Sequence, residues 1–193
     1  MKTLLVPTDF SATAQAALDV AASIAKKVSA KLMLLHVVEA PGSGSFNVEA
    51  QVAGPQDWDN KLFTMKLIQN GRAKLARLAE QTAAKGVDVT QLLRIGNPFH
   101  GMQDIVAEQN VDLIIMGTNG VSGFRELFIG SNTEKIVRRA GCPVLSIPSK
   151  QRNNEFKTIV YAASLQGNES GMLDIVKNTQ AAFDSTVHLL RVN

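Results

Sequence analysis

KTLLVPTDFSATAQAALDVAASIAKKVSAKLMLLHVV, residues 2–38, decides the fold. The apolar run Leu4–Pro7 is closed by Asp9, Phe10 and Ser11. Ala17, Leu18, Ala21, Ile24, Ala25 and Val28 then share one face at helical spacing. Leu32–Val38 is almost continuously apolar, as expected of a strand in a parallel sheet covered on both faces. Strand, helix, strand is the βαβ unit.

The same alternation continues downstream. Residues 39–58 carry Pro, Gly and Ser without periodicity and read as a long connection or lid. From about Asn60 to Lys85 the spacing of Leu62, Met65, Ile68, Leu75 and Leu78 is helical. A strand follows at Val87–Ile95, and Asn97-Pro98 then opens a helix containing Met102, Ile105 and Val106. Asp112–Gly117 is the fourth strand, Asn132–Arg139 a helix, Cys142–Pro148 the fifth strand and Ser149–Phe156 a polar linker. Strands alternating with helices predict an α/β, doubly wound five-stranded parallel sheet with right-handed crossovers. Such sheets bind ligands beyond the carboxyl ends of their strands, where the strand order reverses.

The opening unit recurs. Shifted by 155 residues, residues 2–38 align without a gap on residues 157–193: Lys2 meets Lys157, Thr3 meets Thr158, Leu18-Asp19 meets Leu173-Asp174, and Leu34-Leu35 meets Leu189-Leu190. The tail therefore reads as the first βαβ unit of an incomplete second copy at 157–193, after a domain at 1–148 and a linker at 149–156. Three elements cannot close a sheet, so the chain is either a piece of a tandem protein or completed by another chain. Its 193 residues agree: they exceed one typical domain of about 100–150 residues and fall short of two.

Composition narrows the function classes. Apolar residues make up 45% and charged residues 19%, enough for a buried core. Twenty Lys and Arg against 17 Asp and Glu leave a net charge of +3, and the basic residues are scattered, which argues against nucleic-acid binding. The single cysteine, Cys142, excludes a disulfide within one chain and fits a reducing compartment. No segment reaches the roughly 18 apolar residues of a membrane span, and the amino-terminal apolar run is cut short by Pro7, Thr8 and Asp9. The expected location is the cytoplasm.

The chemistry-bearing stretch is GTNGVSGFRELFIGSNTEKIV, residues 117–137. Gly117 and Gly120 remove side chains where a sugar could approach the backbone at a strand end. Gly130, Ser131, Asn132 and Thr133 stand at a helix amino terminus, where unpaired N–H groups and the positive dipole end favour phosphate. The same residues also read as an ordinary helix cap after a glycine-rich turn. Two further strand ends, at Pro7–Ser11 and at His36-Val37, could converge with this loop on one crevice. His36 reads as a satisfied, partly buried histidine, Cys142 as buried and inert, and His100 has no visible partner.

VPTDFS at the first strand, LLHVV at the second, and MGTNGVSGFRELFIGSNTEKIVRRAGCPVLSIP at the fourth and fifth resemble the universal stress protein family in its ATP-binding branch. The resemblance covers residues 1–148 and includes every position of G-x2-G-x9-G-[S/T]. It implies a Rossmann-like sheet of strand order 3-2-1-4-5. It further implies that Pro7, Thr8, Asp9 and Val37 line the adenine and ribose end of a nucleotide site. Met116, Gly117 and Gly120 would bound the ribose and first phosphate, and Gly130, Ser131, Asn132 and Thr133 would hold the phosphates. Arg125, inside the loop, is either a distal phosphate contact or a solvated side chain. In the repeat, Pro7, Thr8 and Asp9 become Ala162, Ala163 and Ser164, so the expectation is one site per chain.

The leading functional expectation is a stress-response protein that binds ATP or AMP, with or without Mg, as a regulatory ligand. The P-loop pattern G-x4-G-K-[S/T] is absent, and no nucleophile–base–orienter set is visible, so no catalytic residue is assigned. The alternatives are a slow Mg-dependent adenine-nucleotide hydrolase using Asp9, and an interaction module whose loop binds nothing. The resemblance also implies a homodimer, or a pseudo-dimer within a tandem chain, through the fifth strand.

Overall fold

The computed structural model describes residues 1–39, 55–118, 131–148, 156–163 and 170–191. In chain order the elements are β1 (Thr3–Pro7), α1 (Ala12–Val28), β2 (Lys31–Val38), α2 (Pro55–Ala83), β3 (Val89–Ile95) and α3 (Pro98–Gln109). They continue with β4 (Leu113–Gly117), α4 (Ser131–Arg139), β5 (Val144–Ile147), β6 (Thr158–Ala163), α5 (Ser170–Phe183) and β7 (Thr186–Arg191). The first five strands form one parallel sheet of order β3-β2-β1-β4-β5. The order reverses between β1 and β4.

The apolar strands are explained by burial on both faces. Leu4, Val6, Leu32, Leu34 and Ile115 point into a core shared with α1 and Leu75 of α2. Their neighbours Leu5, Met33, Leu35, Ile114 and Met116 point the other way, onto Met102 and Ile105 of α3 and Ile136 of α4. Successive strand residues face opposite sides, so the three-layer sandwich leaves no position for a polar side chain in the middle of β1 or β4 or along Leu32–Leu35 of β2.

Local chemistry sets the helix ends. Ser11 caps α1 by accepting the Ala14 N–H at 3.2 Å, and Ser29 closes it in the left-handed region at φ 53°. Asn97 caps α3 by accepting from the Phe99 and His100 amides, with Pro98 in the first turn. α2 departs from the periodicity reading. It begins at Pro55 rather than Asn60, because proline suits a first helical turn, and it ends at Ala83 before Gly86 at φ 81°. Leu62 and Met65, two of the apolar residues at helical spacing, are more than half exposed, whereas Leu75 is buried. α2 packs over β2 and β3, with Leu75 in the core and Leu62, Phe63 and Met65 exposed nearer its amino end.

β6 and β7 form a separate parallel pair, with α5 connecting them. Backbone detail recurs here at the 155-residue offset. Lys31 N–H donates to the Lys2 carbonyl at 2.8 Å, and Thr186 N–H to the Lys157 carbonyl at 2.8 Å. Ser29 and Asp184 close their helices at φ 53° and 52°. α5 packs on α1, where buried Phe183 joins the core cluster, meets Phe156 at 5.0 Å and carries the Lys27 ammonium 4.2 Å above its ring.

Candidate functional site

β1 lies between β2 and β4, so its carboxyl end stands at the reversal point. Pro7 pairs with Leu35 of β2, and the chain then turns through Thr8, Asp9 and Phe10 into α1. This turn is closely tied. Thr8 is buried, and its N–H donates to the Leu35 carbonyl at 2.8 Å. Its carbonyl accepts from His36 Nδ1 at 2.8 Å, and its hydroxyl oxygen accepts the Phe10 N–H at 3.0 Å. Asp9 is exposed, with Oδ1 taking the Ser11 N–H at 2.9 Å. That bond is an Asx turn, which gives the carboxylate a structural part in the turn that leaves β1.

Val37 is half-buried at the end of β2, and the first turn of α3 lies close above it: a Cβ on Gly101 would stand 3.2 Å from Val37 Cγ2. On the other side of β1, β4 ends in buried Met116 and half-buried Gly117. Gly117 pairs with Ile147 of β5, and the Thr118 N–H donates to the Ile147 carbonyl at 3.0 Å. Pro7, Thr8, Asp9, Val37, Met116 and Gly117 are thus gathered at one edge of the sheet by three adjacent strands. Gly120, Arg125 and Gly130 lie outside the described residues.

α4 runs antiparallel to β4. The Gln103 amide donates to the Arg139 carbonyl at 3.1 Å, and Arg139, Ala140 and Gly141 line an open groove of about 800 Å³ together with Asp112, which immediately precedes β4. The carboxyl end of α4 is therefore at the amino ends of the strands. Its nine residues rise about 13 Å, which carries Ser131, Asn132 and Thr133 toward the carboxyl ends. A helix amino terminus presents free N–H groups and the positive end of the dipole, a setting for an anion. The strand ends thus bring half-buried Val37, buried Met116 and buried Thr8 to the same end of the sheet.

Residues 1–148 match the Universal stress protein family. The chain belongs to the universal stress protein family. A universal stress protein of Methanocaldococcus jannaschii is 30% identical over 156 residues, spanning 77% of this chain and 96% of its own. Among solved structures, a universal stress protein from Lactobacillus plantarum superposes with a TM-score of 0.64 at 25% identity, over 76% of this chain and 97% of that one. An Arabidopsis thaliana family member with AMP bound superposes at 0.53 with 19% identity, over 81% of this chain and 95% of its own. An Archaeoglobus fulgidus universal stress protein superposes at 0.74 with 19% identity, over 99% of this chain but 67% of its own. The strand order is the Rossmann-like 3-2-1-4-5 expected for the family.

Two features of the crevice carry no motif in the sequence. Thr13 underlies Gly117, and the Phe10 ring packs tilted against His36 with ring centroids 4.4 Å apart. Both arise from contacts between residues far apart in the chain. Among the described residues no helix is long and apolar enough to cross a membrane.

Proposed function

We propose that this universal stress protein binds an adenine nucleotide, ATP or AMP, as a regulatory ligand of a cytoplasmic stress response, with little or no turnover. The observation that carries this reading is that the Thr8 turn and the Met116-Gly117 strand end stand side by side at the reversal point of the sheet. The AMP-bound Arabidopsis relative supports it. Pro7, Thr8, Asp9 and Val37 are assigned to adenine and ribose, Met116, Gly117 and Gly120 to ribose and first phosphate, and Gly130, Ser131, Asn132 and Thr133 to the phosphates. The test is mass spectrometry of ligand released from the purified, denatured protein, followed by calorimetric titration of ATP. Bound nucleotide and an affinity abolished by Gly130→Glu are expected; no nucleotide and no titratable binding would remove the reading. Appreciable Mg-ATP turnover lost in Asp9→Ala would replace regulation by hydrolysis.

We further infer that β6–α5–β7 opens a second domain of the same kind, whose covering layers are supplied by further polypeptide. Its exposed apolar residues occupy positions that the first unit buries. Val160, Leu189 and Leu190 are 61%, 65% and 51% exposed, whereas their counterparts Leu5, Leu34 and Leu35 are 0% exposed. The longer Archaeoglobus chain supports this division. A homodimer or pseudo-dimer through β5 is the accompanying assembly. Light scattering tests the bare faces: Val160→Lys with Leu189→Lys should suppress self-association of the chain, and unchanged association would count against them.

A further inference from the structure

We propose that His36 is a positioning residue of the nucleotide site, its Nδ1–H fastening the Thr8 carbonyl so that the turn from Pro7 to Asp9 is set before ligand arrives. The proposal rests on the nucleotide reading above and adds a residue to it. A carbonyl oxygen only accepts, so the 2.8 Å contact between His36 Nδ1 and the Thr8 carbonyl requires the proton on Nδ1. The same Thr8 donates its N–H to the Leu35 carbonyl. With both ends of its backbone held by consecutive residues of β2, Thr8 cannot rotate its peptide planes.

Three departures from local preference converge on this one imidazole. Gly71 lies inside the 29-residue helix α2, where glycine is unfavourable, yet a Cβ there would stand 2.9 Å from His36 Cδ2 and 3.2 Å from Nε2. Phe10 adopts φ 64°, a region that bulky residues avoid, and in that conformation its ring lies 4.4 Å from the His36 ring. The Lys74 ammonium sits 5.4 Å from the centroid of the same phenyl ring. Histidine itself stands in a strand whose neighbours Leu34 and Leu35 are fully buried and apolar. Local rules broken together at one place mark a site held for a purpose. A turn fixed in advance spares the ligand the cost of ordering it.

The test has two readouts on the full chain. Nitrogen NMR of the imidazole, without ligand, should find His36 in the Nδ1–H tautomer; the Nε2–H tautomer would overturn the proposal. ATP titration should find His36→Leu weakened by about fivefold to tenfold, the worth of one net hydrogen bond, with melting transitions checked alongside. His36→Asn, whose amide nitrogen can stand where Nδ1 stood, should hold affinity within about threefold. Should the Leu variant fail to fold, His36→Gln, whose amide reaches toward the Nε2 position instead, takes its place. Wild-type affinity in the Leu or Gln variant, or an Asn variant as weak as either, overturns the proposal. A wild-type chain that takes up no ATP defeats the nucleotide reading instead, and the tautomer still decides the clamp.

Discussion

Gly117 and Thr13 touch so closely that no side chain fits between them. A Cβ on Gly117 would stand 2.6 Å from Thr13 Cγ2 and 3.0 Å from its backbone carbonyl carbon and oxygen. The methyl group can turn away, but the backbone of a buried first helical turn cannot. Gly117→Ala should therefore cost about 1–3 kcal/mol by urea denaturation, as overpacking does. It should weaken nucleotide binding as well, because the end of β4 must move. A variant as stable as the parent would show that α1 shifts freely.

Asp112 ties the amino terminus to β4 by accepting the Lys2 and Thr3 amides at 2.6 and 2.9 Å. Partial burial pushes its carboxyl up, but those two bonds and the positive charges of the amino terminus and Lys2 more than offset this, and its pKa lies below the usual value. A depressed carboxylate adds stability above its unfolded pKa of about 3.9 and loses it as pH falls through the folded value. Asp112→Asn should destabilise at pH 7, by about 1–2 kcal/mol for two charge-assisted bonds at a part-exposed site. Thermal melts of the two proteins should draw together below about pH 4. A gap independent of pH would assign the effect to shape.

The strands were legible because burial on both faces leaves runs such as Leu32–Leu35 without a polar interruption, whereas their order came with the family resemblance. The start of α3 was legible because the Asn97 side chain and Pro98 make it locally. The exposure of Leu62 and Met65 was not, since periodicity reports which side of a helix is apolar and is silent on how much of that side is covered. The strand-end rule brought Thr8, Val37 and Gly117 to one crevice. Thr13, Phe10 and Gly71 escaped it, because each acts through a partner that only the folded chain brings near.

Cys142 precedes β5 and is half-buried. Burial pushes its thiol up, and the nearby Asp112 carboxylate adds to this, while a hydrogen bond with the Ile114 backbone opposes them; the pKa ends above the ordinary thiol value. Little thiolate is then present at neutral pH, and the thiolate is the nucleophile. Reaction with an aromatic disulfide reagent at pH 7 should be at least tenfold slower in the folded chain than in 6 M guanidinium, on the order of the combined thiolate and access effects. Equal rates would place Cys142 among reactive thiols.

Phe183 joins the β6–α5–β7 unit to α1. Its ring is 7% exposed, packs in the α1 core cluster, and meets Phe156 edge-on at an interplanar angle of 70°. Removing a buried phenyl costs about 3–5 kcal/mol, whereas an exposed cation over a ring is worth about 0.5–1 kcal/mol. Phe183→Ala should therefore loosen the unit far more than Lys27→Ala does. Because the five-stranded sheet has its own buried faces, the loss should be local. Hydrogen exchange separates the possibilities: in Phe183→Ala, amides of α5, β6 and β7 should exchange at least tenfold faster while those of β1, β2 and β4 keep their protection. Acceleration spread evenly over every strand would instead make the two units one cooperative body, with the tail a structural part of the first sheet.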